Sequence, residues 1–517
     1  VLAAAFGVIA SQLPLDLRGH GLANLTRASV ALLAGAGLYA CARSRRLRQH
    51  KTTMLLVLAP MALAAYVNFG TFHGFRTHVQ FHDVAHYYLG AKYSAELGHA
   101  DLYVAMLAAQ HETGKAKLPA QVRDLRDYRV VPTPELLIER AADVKEAFTP
   151  DRWNAFKRDV DLFRQGLQTQ FGRVMLDHGF NGTPVWLLLA EPISQLAPAG
   201  DYTALRILTA LDGALIALAL GAVLWAFGLN TALLVLLGYC VTFGAGFGWT
   251  GGSFLRQPWL ASILLALCCL KKDRHGAAGA LLALATLLRV FPAALMFPIV
   301  ARGLVTGYRR GQVPSNTIRL LGGFTVASVV LVMATALLPK GFFHWVDFID
   351  TMNVHRSSLS ASRIGLLEVL GYHGHELQIG FDERQALIDR RSLIETGQRL
   401  LVLLPLAVYT VRLAPRLSPV AATALGLPLI YAGITLASYY YAVLVVYLIA
   451  MRRRGVELSV FFALQGVALL LDHFETRPIL PYVYGSALLL LLWVVLYRSV
   501  PRRAFAARAR RQQTPAT

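Results

Sequence analysis

Apolar stretches long enough, or nearly long enough, to cross a bilayer recur through this chain. They fall at 22–42, 52–72, 203–228, 231–250, 254–270, 318–338, 399–413, 419–437, 438–451, 457–472 and 480–497, with residues 1–13 as the remnant of another. A spanning helix needs about 20 predominantly apolar residues, and fewer when it is partnered inside a bundle. A further segment, 276–303, is apolar but interrupted by Arg289, Pro292 and Pro298. Charged residues make up 15% of the 517, against about 25% in soluble proteins, which leaves too little polar side chain to clothe such a chain in water. In lipid every backbone amide must be satisfied internally, so the expected fold is an all-α polytopic membrane protein. The cysteines Cys41, Cys240, Cys268 and Cys269 all fall in apolar runs and read as packing residues rather than a disulfide framework. No signal peptide is assigned to a chain that opens on Val1.

Basic clusters orient the spans. They are Arg43–Lys51, Lys271–Arg274, Arg302–Arg310, Arg412 with Arg416, Arg452–Arg454, and the tail from Arg498, expected to be disordered. With all of them cytoplasmic the spans alternate, provided that 276–303 enters and returns as two short helices broken at Phe291-Pro292. Proline favours such a break because it lacks an amide donor and clashes with the preceding turn. The net charge of +20 is therefore topological, with attraction for anionic membrane lipids, and nucleic acid is excluded as a partner. The division that follows is 1–72 (transmembrane), 73–200 (first outer loop), 201–338 (central helices), 339–398 (second outer loop), 399–497 (C-terminal helices) and 498–517 (basic tail). Both outer loops are expected to carry short interfacial helices, among them 83–98, 134–148 and an interfacial or re-entrant piece at Thr183–Pro192. The location is the plasma (inner) membrane, multi-pass, with the loops facing the periplasm or exterior.

The densest polar constellation follows the second span: His78, His82, Asp83, His86, Tyr87, Tyr88, Lys92 and Tyr93. On a helix Asp83 and Tyr87 share a face at i, i+4, and an aspartate there can accept a proton. The bland alternative is an interfacial helix with tyrosines at the headgroups and solvated histidines. His82 and His86 are also spaced to grip zinc, but the acid between them is aspartate rather than glutamate and no third ligand is indicated. Arg289, buried in an apolar segment, needs a cavity or an anionic partner: a lipid-linked phosphate, or an acid such as Asp212. In the second loop, His355, Arg356 and Arg363 with neighbouring hydroxyls suit phosphate or sugar, and Arg256 with Gln257 is a further polar pair.

Taken in order, these motifs resemble those of the GT-C superfamily, nearest to the polyprenol-phosphate-mannose-dependent mannosyltransferases (glycosyltransferase family eighty-seven). The residues carrying the resemblance are Asp83-Val-Ala-His-Tyr-Tyr-Leu-Gly, Leu97-Gly98 and Leu102-Tyr103, Thr183-Pro184-Val185 through Pro192, the glycine-rich run 276–292 ending Arg-Val-Phe-Pro, Ser357-Ser358-Leu359, and Ser438-Tyr439-Tyr440-Tyr441. Together they span most of 80–450. The resemblance implies a GT-C-like helical bundle and an inverting transfer of mannose, or another hexose or pentose, from a polyprenyl-phosphate donor to a lipid-linked or glycan acceptor. It places Asp83 as the base. Arg289, Arg356, His355 and Arg256 would hold the donor phosphate, and His82, His86, Tyr87, Tyr88, Lys92, Gln257, Arg363 and Tyr440 would line the substrate. No cofactor is implied, with a divalent metal left open. The chain departs from the family in His82 before the aspartate, in arginine rather than lysine at 289, and in the long charged stretch 105–180. The other readings are a lipid or glycolipid transporter, which calls for paired broken helices where the sequence offers one; a zinc hydrolase; and a ligase of the O-antigen type, without an essential carboxylate in the first loop.

Overall fold

The computed structural model describes residues 20–73, 77–115, 117–356, 362–372 and 381–512. Residues 1–13, the Ser357-Ser358-Leu359 motif and the Arg356 side chain lie outside the described part. Among the described residues, six helices are long and apolar enough to cross a membrane: Gly21–Arg43, Tyr202–Phe227, Ser315–Leu337, Leu387–Arg416, Gly455–Phe474 and Leu480–Ser499. Only 11% of the apolar window in Ser315–Leu337 is buried against the rest of the chain, and Val326, Val329, Val330 and Met333 stand more than half exposed on it. Such a surface suits lipid and not water. The chain is thus a multi-pass α-helical membrane protein; the described residues include two short antiparallel ladders, Gln121–Arg123 with Val130–Pro132 and Arg363–Ile364 with Leu436–Ala437.

Shorter apolar helices fill the bundle, and their ends differ from the expected spans for local reasons. The second helix, Lys51–Tyr66, stops before residue 72 because Asn68 and Phe69 turn into the left-handed region. Leu229–Val241 and Pro258–Lys271 leave 242–257 between them, mostly irregular backbone inside the bundle. The stretch expected at 399–413 belongs to a longer segment containing a π-helical turn, Arg399–Leu403. The last helix runs on through Gln512 where a disordered tail was expected, in keeping with the helix propensity of alanine and arginine.

The break in 276–303 falls where the sequence puts it. His275–Leu288 ends as Arg289 turns extended (φ −152°, ψ 119°), and Ala293–Arg310 starts after Pro292. A second interruption was not expected. Gly426–Gly433 ends at Ile434, and Leu436–Ala437 then pair with Arg363–Ile364 before Ser438–Leu444 resumes as a tight helix. The two interruptions meet, with Phe291 and Tyr440 ring to ring at 5.3 Å.

The first loop is a folded unit. Helices Phe81–Lys92, Leu102–Thr113, Thr133–Glu146 and Pro150–Leu167 enclose a core of Trp153, Phe156 and Phe163, each buried. Much of the charge in 105–180 pairs at its surface, as in Lys115–Asp161, Arg126–Asp124 and Arg152–Glu96. Within it, the Phe81–Lys92 helix is tied to the Pro150–Leu167 helix by a buried ion pair, Lys92 Nζ to Asp159 Oδ2 at 2.9 Å.

Candidate active site

Three backbone contacts bring Asp83 and Arg256 together. The Gln80 amide, just before the Phe81–Lys92 helix, donates to Gly252 O at 2.9 Å. Gly252 has φ +68°, and a Cβ there would fall 1.4 Å from His78 O, so only glycine permits this approach. Trp186, on the Pro184–Gln195 helix, donates its indole N–H to Leu255 O at 2.8 Å. Leu255 is itself left-handed (φ +48°), a conformation a leucine keeps only when its surroundings impose it. Asp212, mid-way along Tyr202–Phe227, accepts from the amides of Arg256 (2.7 Å) and Gln257 (3.0 Å) at the start of Pro258–Lys271. The sequence offered Asp212 as a partner for Arg289; its carboxylate instead caps a helix end, where orphan amides want an anion.

The outcome is an ion pair, Arg256 Nη1 to Asp83 Oδ1 at 2.8 Å, with the two side chains 7% and 11% exposed. The N–H does not point along the line to the oxygen, so the contact is ionic without being a good hydrogen bond, and the second carboxylate oxygen, Oδ2, is buried with no hydrogen-bond partner among the described residues. The Arg256 guanidinium lies over the rings of Tyr439 (4.3 Å) and Tyr87 (4.9 Å). Arg289 faces the same Tyr87 ring at 5.9 Å and Tyr440 at 5.7 Å. It is 8% exposed, and among the described residues it donates only to its neighbour's carbonyl, Leu288 O, and keeps a buried, unpartnered Nε. Two guanidiniums therefore face the single carboxylate of Asp83, while the Asp212 carboxyl is held behind them on the Arg256 and Gln257 amides, and Arg289 is left without a carboxylate of its own among the described residues. Gln257 is buried alongside with its Oε1 unpartnered.

On the other side of Asp83 stands a histidine cluster. His82 Nε2 meets Asp177 Oδ2 at 3.0 Å, and His178 Nδ1 meets the other oxygen at 3.1 Å. His86 Nε2 lies 2.7 Å from the Tyr103 hydroxyl and 3.2 Å from Val174 O. Burial pushes His86 down to about 4, so it is neutral at pH 7. Burial alone would push the Asp177 carboxyl up, but hydrogen bonds from His178 and His82 outweigh it and hold it well below the usual range. His355, from the second loop, packs on His178 (5.2 Å) and Tyr128 (6.0 Å), and burial pushes it down to about 3. The ligating atoms of His82, His86 and Asp177 lie within 4.8 Å of one another, close enough to hold a metal ion.

Other expected site residues fall elsewhere. Lys92 donates to Tyr88 Oη and Ala197 O besides Asp159, so its charge is engaged inside the first loop. Tyr88 is fully buried between Phe163 and Phe254. Arg363 stands in the two-residue ladder opposite Ala437, beside the tyrosine run. Arg356 closes the Phe343–Arg356 helix. Asp177 and His178 were not expected, the acid–histidine pair before Gly179 being the one signal for them; Tyr439 belongs to the tyrosine run the sequence singled out, from which only Tyr440 was assigned to the site. A cavity of about 180 Å³ among Asn24, Arg27, Tyr66, Asn68, Phe247 and Asp472 lies apart from these residues, and its Arg27 is engaged by Cys240 O and Thr242 O. No family model, curated protein or solved structure matches this chain.

Proposed function

We propose that the chain is an inverting membrane glycosyltransferase that moves a sugar from a polyprenyl-phosphate donor to a lipid-linked or glycan acceptor at the periplasmic or outer face, with Asp83 as the base. The observation that carries this reading is the buried set of two guanidiniums and one carboxylate. A sugar–phosphate diester brings one negative charge, which together with Asp83 matches the two guanidiniums of Arg256 and Arg289, the Asp212 carboxyl being engaged by backbone amides. Asp83 Oδ2 then takes the proton of the acceptor hydroxyl. The hydroxyl oxygen bonds to the anomeric carbon from the face opposite the phosphate, and the carbon–oxygen bond to phosphate breaks. Asp83 ends neutral and the departing phosphate monoester carries nearly two negative charges, so the total within the site does not change. Charge moves by one proton and one bond, between groups already placed to receive it, which is how a preorganised site lowers a barrier. Asp83→Asn should abolish transfer of radiolabelled sugar, and the anionic donor should compensate the stranded Arg256 and keep the loaded variant folded; near-normal turnover in this variant removes Asp83 as base.

One finding favours a metal-dependent hydrolase: Asp177 supplies the third ligating atom that the His82-x-x-x-His86 pattern lacked in the sequence. Against it, the intervening acid pairs with Arg256 and the His86 Nε2 already meets Tyr103. Hydrolysis without an acceptor, lost with His86→Ala, would establish that reading. The second interrupted segment suits a lipid transporter. Release of free polyprenyl phosphate separates the two, because transport leaves the sugar–phosphate bond intact.

A further inference from the structure

A second cluster of chemistry-bearing side chains sits beyond Phe180, outside the site described above. Gly98 (φ +55°) ends the short Ser94–Leu97 helix, and a Cβ on it would meet Lys340 Nζ at 2.9 Å and Asp347 Oδ2 at 3.3 Å. The backbone at 98–99 therefore runs close against the segment that begins the second loop. His344 and Asp347, three residues apart on the Phe343–Arg356 helix, share one of its faces. Their ligating atoms and that of His99 lie within 4.8 Å of one another.

The state of the two imidazoles is what gives the cluster meaning. His344 has no exposed surface, and among the described residues neither its Nδ1 nor its Nε2 has a hydrogen-bond partner. His99 is 4% exposed; its Nε2 meets Gly182 O at 3.0 Å and its Nδ1 is unpartnered. A metal-ligating histidine is held in this way, one ring nitrogen donating to a backbone carbonyl while the other presents its lone pair. Leaving a buried polar group unpaired costs about 1–3 kcal/mol, and here three ring nitrogens are unpaired in one place. Two imidazoles with one carboxylate form the donor set that zinc prefers, whereas calcium and magnesium prefer oxygen alone.

We propose that His99, His344 and Asp347 form a binding site for a zinc-like divalent ion that clamps the second loop onto the first. His99 packs on Phe180 at 4.8 Å, and Phe180 packs edge-on against Tyr87 at 5.9 Å, the ring beneath both guanidiniums. Asn181, next along, accepts from the Tyr87 hydroxyl at 2.5 Å. An ion on His99 thus stiffens the turn that fixes Tyr87. Lys340 Nζ, 3.9 Å from Asp347, competes for the same carboxylate. The site stands whether or not the chain transfers sugar.

The test uses the full chain purified in detergent, stripped with a chelator, reloaded with zinc chloride, desalted and analysed for metal, with cobalt chloride as an optical probe of tetrahedral nitrogen and oxygen coordination. His344→Gln and Asp347→Asn should each hold one zinc fewer per chain than the parent, and the same loss should appear in a His82→Gln, His86→Gln background. Lys340→Met should tighten binding. Asp347→Asn keeps the side-chain volume, and size-exclusion profiles identify folded samples. A parent chain that takes up no zinc, or folded His344→Gln and Asp347→Asn variants that hold as much as the parent, would overturn the proposal.

Discussion

Replacing Arg289 by methionine should leave the fold intact and strip the site of its affinity for phosphate, whereas the same change at Arg256 should damage the fold. The contrast follows from how each guanidinium is partnered. Arg256 neutralises Asp83 at 2.8 Å in a setting where both are nearly buried. Removing one member of such a pair leaves the other as an uncompensated buried charge, at a cost of about 3–5 kcal/mol. Arg289 has one hydrogen bond, to Leu288 O, and two tyrosine faces between 5.7 and 5.9 Å away. These are worth about 1 kcal/mol each and stand against several kcal/mol of desolvation, so methionine of similar volume should melt at the parent temperature or above it. Binding should respond in the opposite sense. A charge-assisted hydrogen bond to phosphate contributes about 1.5–3 kcal/mol, which is about 10- to 150-fold in Kd. The assay is binding of a short polyprenyl phosphate to nanodisc-embedded protein, with the matching polyprenol as the uncharged control, beside thermal unfolding of both variants. If Arg289→Met binds the phosphate like the parent, or unfolds as early as Arg256→Met, the reasoning is refuted.

Further expectations concern the fold around the site. Lys92→Met should lose about 3–5 kcal/mol by stranding Asp159, and Asp159→Asn in the same chain should recover part of it, measured by denaturant unfolding. Gly252→Ala should prevent the Gln80 contact and sharply lower the yield of folded protein, because its Cβ would collide with His78 O; normal expression and melting would contradict the geometry. The pH dependence of stability should carry a His86 contribution. Unfolded His86 titrates near 6.5 and the folded residue at about 4, so the unfolded chain binds more protons between these values. Its stability is complete above pH 6.5 and falls by up to about 1.4 kcal/mol per unit as the pH drops towards 4. His86→Gln, scanned with chelator present, should flatten that slope.

The spanning helices and the Phe291-Pro292 break were legible because they rest on local rules: apolar length in one case, a missing amide donor in the other. Asp83 and Tyr87 were placed on one face by helical spacing alone, and the structure turns both towards Arg256. What the sequence hid were pairings across long separations. Asp83 and Arg256 lie 173 residues apart, and Asp177 reaches His82 only after the intervening unit has folded on its own aromatic core. Asp212 was visible as a lone acid in an apolar helix, and the rule that such an acid needs donors held. The rule does not say which donors, and backbone amides leave no mark in a sequence. The second interruption was hidden because its ladder partner, Arg363–Ile364, belongs to another loop.

The contact of Asp212 with the Arg256 amide also ties the site to a position along a spanning helix. Asp212 lies ten residues beyond Tyr202 in a 26-residue helix, so about 15 Å along its axis from the first turn. A helix of that length measures about 39 Å against a hydrocarbon core of about 30 Å, an overhang of about 9 Å. A hydrocarbon core set along this helix with all of that overhang at the Tyr202 end would put Asp212 and the amide it holds about 6 Å inside its boundary. The isoprenoid donor proposed above would then keep its tail dissolved among acyl chains while its phosphate meets the guanidiniums. Lifting the tail into water would cost about 0.8 kcal/mol per methylene, a penalty that a shallower site would have to overcome at every encounter.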